Sequence, residues 1–176
     1  FVERIEREIE QHQEHGDGYI ALKMNALVDK RCIKALYRAS QAGVKVDLQP
    51  RGICCLRPGM PGLSENITVT SIVGRFLEHA RIYYFHNGGD DEILVGSADL
   101  MPRNLYRRVE TLFPVEDEGI KASLRDDILA IHLQDNVKAR RMLPDGCYER
   151  VQPPGEERIN SQQWLIEHRG IWNHAD

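Results

Sequence analysis

The chain of 176 residues is poor in features that mark membrane, secreted or duplex-binding proteins. No apolar run approaches the roughly 20 residues needed to span a bilayer, and no charged-then-apolar leader opens the chain, so a soluble domain is expected. Only four cysteines occur, Cys32, Cys54, Cys55 and Cys147. The adjacent pair does not readily bridge to itself and the remaining spacing fits no zinc template, so reduced thiols in a cytosolic protein are the expectation. Positive charge is not in excess: 23 Lys and Arg face 27 Asp and Glu, for a net charge of -4. That balance excludes a nonspecific nucleic-acid module, whose affinity rests on many cations neutralising phosphates. Neither GxxxxGK[ST] nor GxGxxG is present, so a nucleotide, if bound, is held without those loops. Internal repeats and low-complexity tracts are absent as well.

What remains suffices for one ordinary domain. With 41% hydrophobic and 28% charged residues, the chain can bury a full core. Its first residue, Phe1, already belongs to an apolar helical pattern, which reads as one domain cut from a longer protein. The arginines Arg51, Arg57, Arg75, Arg81, Arg103, Arg107 and Arg108 gather in the middle third, whereas acidic residues concentrate in the first helix, at Asp90 to Glu92 and at Glu116 to Asp126. A polyanion would therefore meet a local basic patch on an acidic protein.

Val2, Ile5 and Ile9 recur at helical spacing until His15-Gly16-Asp17-Gly18 stops the helix. Tyr19 to Met24 reads as a strand, Asp29 as the cap of a helix over Lys30 to Gln41, and Ala42-Gly43 as its end before the alternation Val44, Val46, Leu48. Such a strand-helix-strand unit favours a right-handed crossover and parallel strands, and the rule that ligands collect beyond strand carboxyl ends puts Arg51 at the rim. Pro58 to Asn66 should be loop, Ile67 to Thr70 extended and Ser71 to Glu78 a short helix leading into His79. Arg81 to His86 and Glu92 to Ser97 form an expected hairpin across Asn87-Gly88-Gly89-Asp90-Asp91. A strand over Arg107 to Val115 would send Arg107 and Arg108 to opposite faces. A helix over Ile120 to Gln134, an extended Lys138 to Leu143, a turn at Pro144-Asp145-Gly146, a break at Pro153-Pro154-Gly155 and a short helix over Ser161 to His168 complete an α/β sandwich.

The chemistry concentrates around His79 and two arginine-bearing loops. An imidazole near neutrality can give or take a proton at a phosphate oxygen, and guanidinium groups stabilise charge on a transferring phosphoryl group, so His79 is the candidate acid and base. Arg51-Gly52-Ile53-Cys54-Cys55-Leu56-Arg57-Pro58-Gly59 suits oxyanions through guanidinium forks and exposed amides, against a plain reading of Arg51 and Arg57 as solvated loop charges. Lys23 interrupts an apolar strand, where a buried ammonium needs a partner or an anion. Ser97 either donates to phosphate or ends its strand, and Gly96 either admits a close backbone or starts a turn. Arg103, with Arg107 and Arg108, reads either as a further anion contact or as an ordinary surface charge. Cys54 and Cys55, between Ile53 and Leu56, read as small buried hydrophobes without a catalytic role.

Several stretches in order resemble the carboxyl-terminal catalytic domain of bacterial polyphosphate kinase, family 1. They are Lys23-Met24-Asn25-Ala26-Leu27-Val28-Asp29, the Arg51 to Gly59 loop, Ser64-Glu65-Asn66, Gly74-Arg75-Phe76-Leu77-Glu78-His79, Gly96-Ser97-Ala98-Asp99, Met101-Pro102-Arg103-Asn104-Leu105, Arg107-Arg108-Val109-Glu110 and Asp145-Gly146-Cys147-Tyr148-Glu149-Arg150. The resemblance implies a phospholipase-D-like α/β/α sandwich with a mixed central sheet, 1–176 being the second of two catalytic domains that each supply a histidine to a shared site. It implies reversible transfer of the ATP γ-phosphate to inorganic polyphosphate through a phosphohistidine of the preceding domain, with Mg2+ accompanying ATP or ADP and no metal ligands in this domain. His79 would assist proton transfer, Arg51 would bind phosphate, and Arg57, Lys23, Arg103 and Ser97 would line the substrate path. The remaining implications are a preceding catalytic domain of the same chain as partner, a homo-oligomer, no nucleic acid, a cytoplasmic protein peripheral to the inner membrane, and an isolated fragment without activity.

Against the phospholipase-D pattern HxK followed by four residues and Asp, this chain has Arg81 for the lysine and His86 for the aspartate, and Asp99 stands where many relatives carry Asn. These departures suit a supporting half-site. A phospholipase-D-like phosphodiesterase and a polyphosphate-binding module without activity of its own are the alternatives.

Overall fold

A computed structural model describes residues 1–152, 155 and 157–168. Helix α1 (Val2–His15) ends where Gly16 turns left-handed, at φ 81°, and its amide closes on His12. Strand β1 (Tyr19–Met24) leads to α2 (Lys30–Gln41), whose first amides, Arg31 and Cys32, are capped by the Asp29 carboxylate. Strand β2 (Lys45–Pro50) then lies parallel to β1, as expected of this unit, and β3 (Ile67–Ile72) lies parallel to β2. The hairpin of β4 (Ile82–Phe85) and β5 (Glu92–Gly96) turns through Asn87, Gly88 and Gly89, all at positive φ.

After β5 come a short α3 (Pro102–Tyr106), β6 (Leu112–Pro114), and a helix made of α4 (Glu118–Ala122), a π-helical stretch (Ser123–Leu129) and α5 (Ala130–Leu133). Strands β7 (Ala139–Met142) and β8 (Tyr148–Arg150) and helix α6 (Ser161–Glu167) follow. The eight strands form one mixed sheet in the order β6-β5-β4-β1-β2-β3-β7-β8.

Because successive strand residues point to opposite faces, β1 divides its side chains. Ile20, Leu22 and Met24 join Val46, Leu48, Tyr83 and Phe85 in a core with α1 and α2. Ala21 faces the other way, packing with Ile82, Tyr84, Ile93 and Leu129 under the π-helical stretch. Lys23 shares that second face. The layering is thus α/β/α, as expected.

Three local expectations are corrected and one strand was not foreseen. Residues 71–78 are not helical: Ser71 and Ile72 continue β3 because they pair with Arg140 and Ala139 of β7, and 73–81 run irregularly to β4. Arg107 and Arg108 lie outside any strand and are both exposed, because Pro102 at the helix start nucleates α3 and delays the strand to Leu112. Cys54 is only half-buried, Cys55 is exposed and Ile53 is 62% exposed, because the loop that carries them runs over the sheet end. Strand β8, three residues long, answers to no sequence signal noted above. The break expected at Pro153-Pro154 lies outside the described residues.

Candidate active site

At the carboxyl ends of β1 and β2 three loops are stitched together. The amides of Arg51 and Gly52 donate to the carbonyls of Met24 and Asn25, Cys55 and Leu27 continue that ladder, and Val28 and Asp29 both donate to Leu100. Asn25 donates its backbone amide to Asp99 Oδ1 at 2.8 Å and its side-chain amide to the same carboxylate. This fastens the β1 loop to the one that follows β5. Tyr83, buried in the core, holds that loop from below by donating to the Ala98 carbonyl at 2.5 Å.

Asp99 organises the reactive end. Arg81, the second residue of the predicted histidine motif, forks onto it with Nε to Oδ1 and Nη2 to Oδ2, each 3.2 Å. Burial alone would raise the Asp99 carboxyl, but the Arg81 fork and the Asn25 amide outweigh it and hold the group below its ordinary range. The remaining arm of Arg81, Nη1, reaches His79 Nδ1 at 3.2 Å and the His79 carbonyl at 3.2 Å. A guanidinium only donates, so Nδ1 accepts here and the neutral ring carries its proton on Nε2. His79 is exposed, with Nε2 free to meet a substrate.

Lys23 is 2% exposed and donates to Glu78 Oε2 at 2.7 Å. Burial lowers its basicity, the Glu78 carboxylate partly restores it, and the nearby Arg51 charge lowers it again. That repulsion puts Arg51 within electrostatic reach of Lys23. Among the described residues the Arg51 guanidinium forms no ion pair, which leaves it available to an anion. Its carbonyl accepts from Ser71, so the backbone beneath it is held.

The other expected residues stand further out. Ser97 is exposed and its hydroxyl is engaged, donating to Glu110 and accepting from the Thr111 amide at 3.0 Å. Glu110 also takes Asn104 and feels the charge of Arg81, so Ser97 borders the site. Gly96 serves a close backbone approach, since a Cβ there would lie 2.0 Å from the Thr111 carbonyl oxygen. Arg57 and Arg103 are exposed, and among the described residues no hydrogen bond links either guanidinium to His79. His86 lies at the far end of β4, between Asp91 and Asp17.

Sequence reasoning set Arg81 and Asp99 aside as departures from a pattern and gave Glu78 no role. The spacing of Arg81 two residues from His79 was the available signal. Nothing local could announce Asp99, whose partners lie 74 and 18 residues away. Among the described residues no three His, Cys, Asp or Glu side chains are grouped to hold a metal ion. A groove of about 1060 Å³ lies under the π-helical stretch, lined by Tyr19, Asp47, Thr70, Arg125 and Arg141, and none of the expected site residues line it.

Comparison with known proteins gives a consistent result. The family described as polyphosphate kinase C-terminal domain 2 matches residues 1–162. Polyphosphate kinase of Staphylococcus haemolyticus is 53% identical over 167 residues, covering 95% of this chain and 23% of that protein. Polyphosphate kinase 1 of Chlorobaculum tepidum is 54% identical over 169 residues, 96% of this chain and 24% of that protein. The crystal structure of polyphosphate kinase from Porphyromonas gingivalis superposes with a TM-score of 0.89 at 47% identity, covering 94% of this chain and 25% of that one. The chain spans about a quarter of the length of these relatives.

Proposed function

The chain belongs to the polyphosphate kinase C-terminal domain 2 family, and from that premise we propose that it supplies the hydrogen-bond-donating half of a site that moves the γ-phosphate of ATP reversibly to polyphosphate. The observation that carries this reading is the relay from Asp99 through Arg81 to His79 Nδ1, which leaves the exposed ring its proton on Nε2.

In the forward direction a histidine of the preceding domain attacks the γ-phosphorus. A P–N bond forms, the P–O bond to the β-phosphate breaks, and ADP leaves. In this reading His79 donates a hydrogen bond from Nε2–H to the leaving oxygen as charge builds on it, and the neutral ring keeps its proton. A terminal oxygen of polyphosphate then attacks the phosphohistidine, breaking P–N and forming P–O. Arg51 meets the equatorial oxygens, and Arg57, Arg103, Ser97 and Lys23 supply the wider electrostatic lining. Magnesium is assigned to the nucleotide's phosphates, not to this domain.

Exposed apolar side chains support a covering domain. Ile53, Val73, Phe76 and Leu77 are 49–70% exposed on the two loops that carry Arg51 and His79. Apolar groups gathered at the rim of a polar site suit a surface that another part of the same chain closes.

The test uses the full-length kinase and γ-labelled ATP. His79→Ala should lower polyphosphate synthesis by roughly 10²–10³-fold, the range for loss of one hydrogen-bond donor to developing charge, with the fold intact by circular dichroism. Synthesis at the parent rate would remove His79 from the chemistry. Hydrolysis of a generic phosphodiester without nucleotide would instead favour a phosphodiesterase.

A further inference from the structure

The segment that carries His79 has no regular structure, yet it is held from the far end of the chain. Gln162, 6% exposed on α6, grips it with every polar atom of its side chain. Its Oε1 accepts from the Phe76 amide at 3.0 Å, and its Nε2 donates to the Phe76 carbonyl at 2.8 Å and to Glu78 Oε1 at 2.6 Å. The fit is close enough to require glycine at 74, where a Cβ would lie 2.3 Å from Gln162 Oε1.

Glu78 receives two more donors on its other oxygen. Lys23 Nζ approaches Oε2 at 2.7 Å and His132 Nε2 at 3.0 Å. The opposite ring nitrogen of His132 faces the Ile128 carbonyl at 2.7 Å. Both partners are acceptors, so the ring satisfies them as a double donor. Glu78 thus joins β1, α5 and α6 immediately before His79.

Helix α6 is itself anchored. The amide and hydroxyl of Ser161 donate to Asp135 Oδ2 at 2.9 and 2.8 Å, and Oδ1 of that buried carboxylate takes the amides of Val137, Lys138 and Ala139. Asn136 and Ile159 exchange backbone and side-chain hydrogen bonds beside it. The grip is therefore mounted on a rigid corner, as a site needs when reactive groups must be held to a fraction of an ångström.

We propose that the carboxyl-terminal helix is a latch for catalysis, in which Gln162 and His132 clamp Glu78 and so position His79. The inference rests on the reading of His79 as the group that meets the leaving oxygen. Gln162 and His132 touch no reacting atom; they are positioning residues, and Glu78 transmits the hold through the one peptide bond that separates it from His79.

The experiment compares parent, Gln162→Ala, Gln162→Met and His79→Ala in the full-length kinase. Gln162→Met keeps the bulk and removes the hydrogen bonds, which guards against a folding defect in the alanine variant. Amide hydrogen exchange of Phe76 reports the clamp without reference to activity, and steady-state kinetics report its use. Faster exchange at Phe76 with kcat down about 10- to 100-fold, KM for ATP within about twofold and an unchanged melting temperature is the expected result. Unchanged exchange, or faster exchange with undiminished kcat, overturns the latch. Failure of the underlying reading shows separately, as turnover retained by His79→Ala.

Discussion

The two faces of the central sheet are built to different rules. On the face toward α1 and α2, β1 and β2 present Ile20, Leu22, Met24, Val46 and Leu48, all at most 1% exposed and without a polar atom to satisfy. On the other face the same strands present Lys23, Asp47 and Gln49, each with a partner: Lys23 with Glu78, Asp47 with Tyr19, and Gln49 Nε2 with the His132 carbonyl, while Gln49 Oε1 is buried without one. The first face stabilises through area removed from water, at roughly 25 cal/mol per Å². The second stabilises through pairs that lose their value when one member goes. The candidate site sits at the end of the sheet, where Lys23, Glu78, Arg81 and Asp99 are held in fixed directions.

The largest expected effect comes from cutting the relay at that end. Arg81→Ala leaves the Asp99 carboxylate buried without its cation and releases His79 Nδ1 from its donor. Removing one partner of a buried ion pair costs about 3–5 kcal/mol, and a displaced catalytic donor costs about 10²-fold in turnover. Urea unfolding of the 176-residue chain and kcat of the full-length kinase measure the two losses. Stability lost with kcat untouched would make Arg81 a structural residue alone.

A second test titrates the clamp. Burial alone would raise the Glu78 carboxyl, but hydrogen bonds from His132, Lys23 and Gln162 and the Lys23 charge hold it well below its ordinary 4.5. Its folded pKa lies below the unfolded one, so the unfolded state binds the proton more readily. The stability from Glu78 is complete above the ordinary value and drains as pH falls through 4.5 toward the folded value. Asp99, also depressed, drains below its ordinary 3.8. Lys23 adds no slope in this acid window, because it stays protonated in both states. Glu78→Gln should therefore cost about 3 kcal/mol at pH 7, the lower end for breaking a buried pair, and the gap from the parent should narrow below pH 4.5. A constant gap by urea unfolding at pH 7 and pH 4 would mean that the charge of Glu78 contributes nothing.

The contrast between the faces also explains what could be read from the residues in order. The β1–α2–β2 unit was legible because its signals are local: alternation in Tyr19 to Met24, the Asp29 cap, and Gly43 at φ 103° after the helix. His79 and Arg51 stood out as residue types suited to phosphate and through the family resemblance. The path of 73–81 was not, since Arg75-Phe76-Leu77-Glu78 has no breaker after Gly74, and what keeps it from coiling is Gln162, 86 residues from Phe76. Asp99 and Glu78 take their meaning from partners on other elements, which no spacing along the chain encodes. Lys23 was half legible: its burial required a partner, and Glu78 is that partner.

The smallest effect belongs to the silent face and sharpens the contrast. Ile20 is fully buried against α2 and neighbours Ala21, which faces the other way. Ile20→Val removes one methylene from a packed core and leaves no polar atom unpaired, so the cost is the transfer of that group plus a small cavity, about 0.5–1.5 kcal/mol. Three residues along the same strand, Lys23→Met is nearly isosteric but strands Glu78 without its ammonium. The conservative change should move the urea midpoint slightly and leave kcat within error, whereas the lysine change should lower both. If Ile20→Val reduced kcat as Lys23→Met does, the site would depend on overall packing, and the separation of a stabilising face from a chemical one would fail.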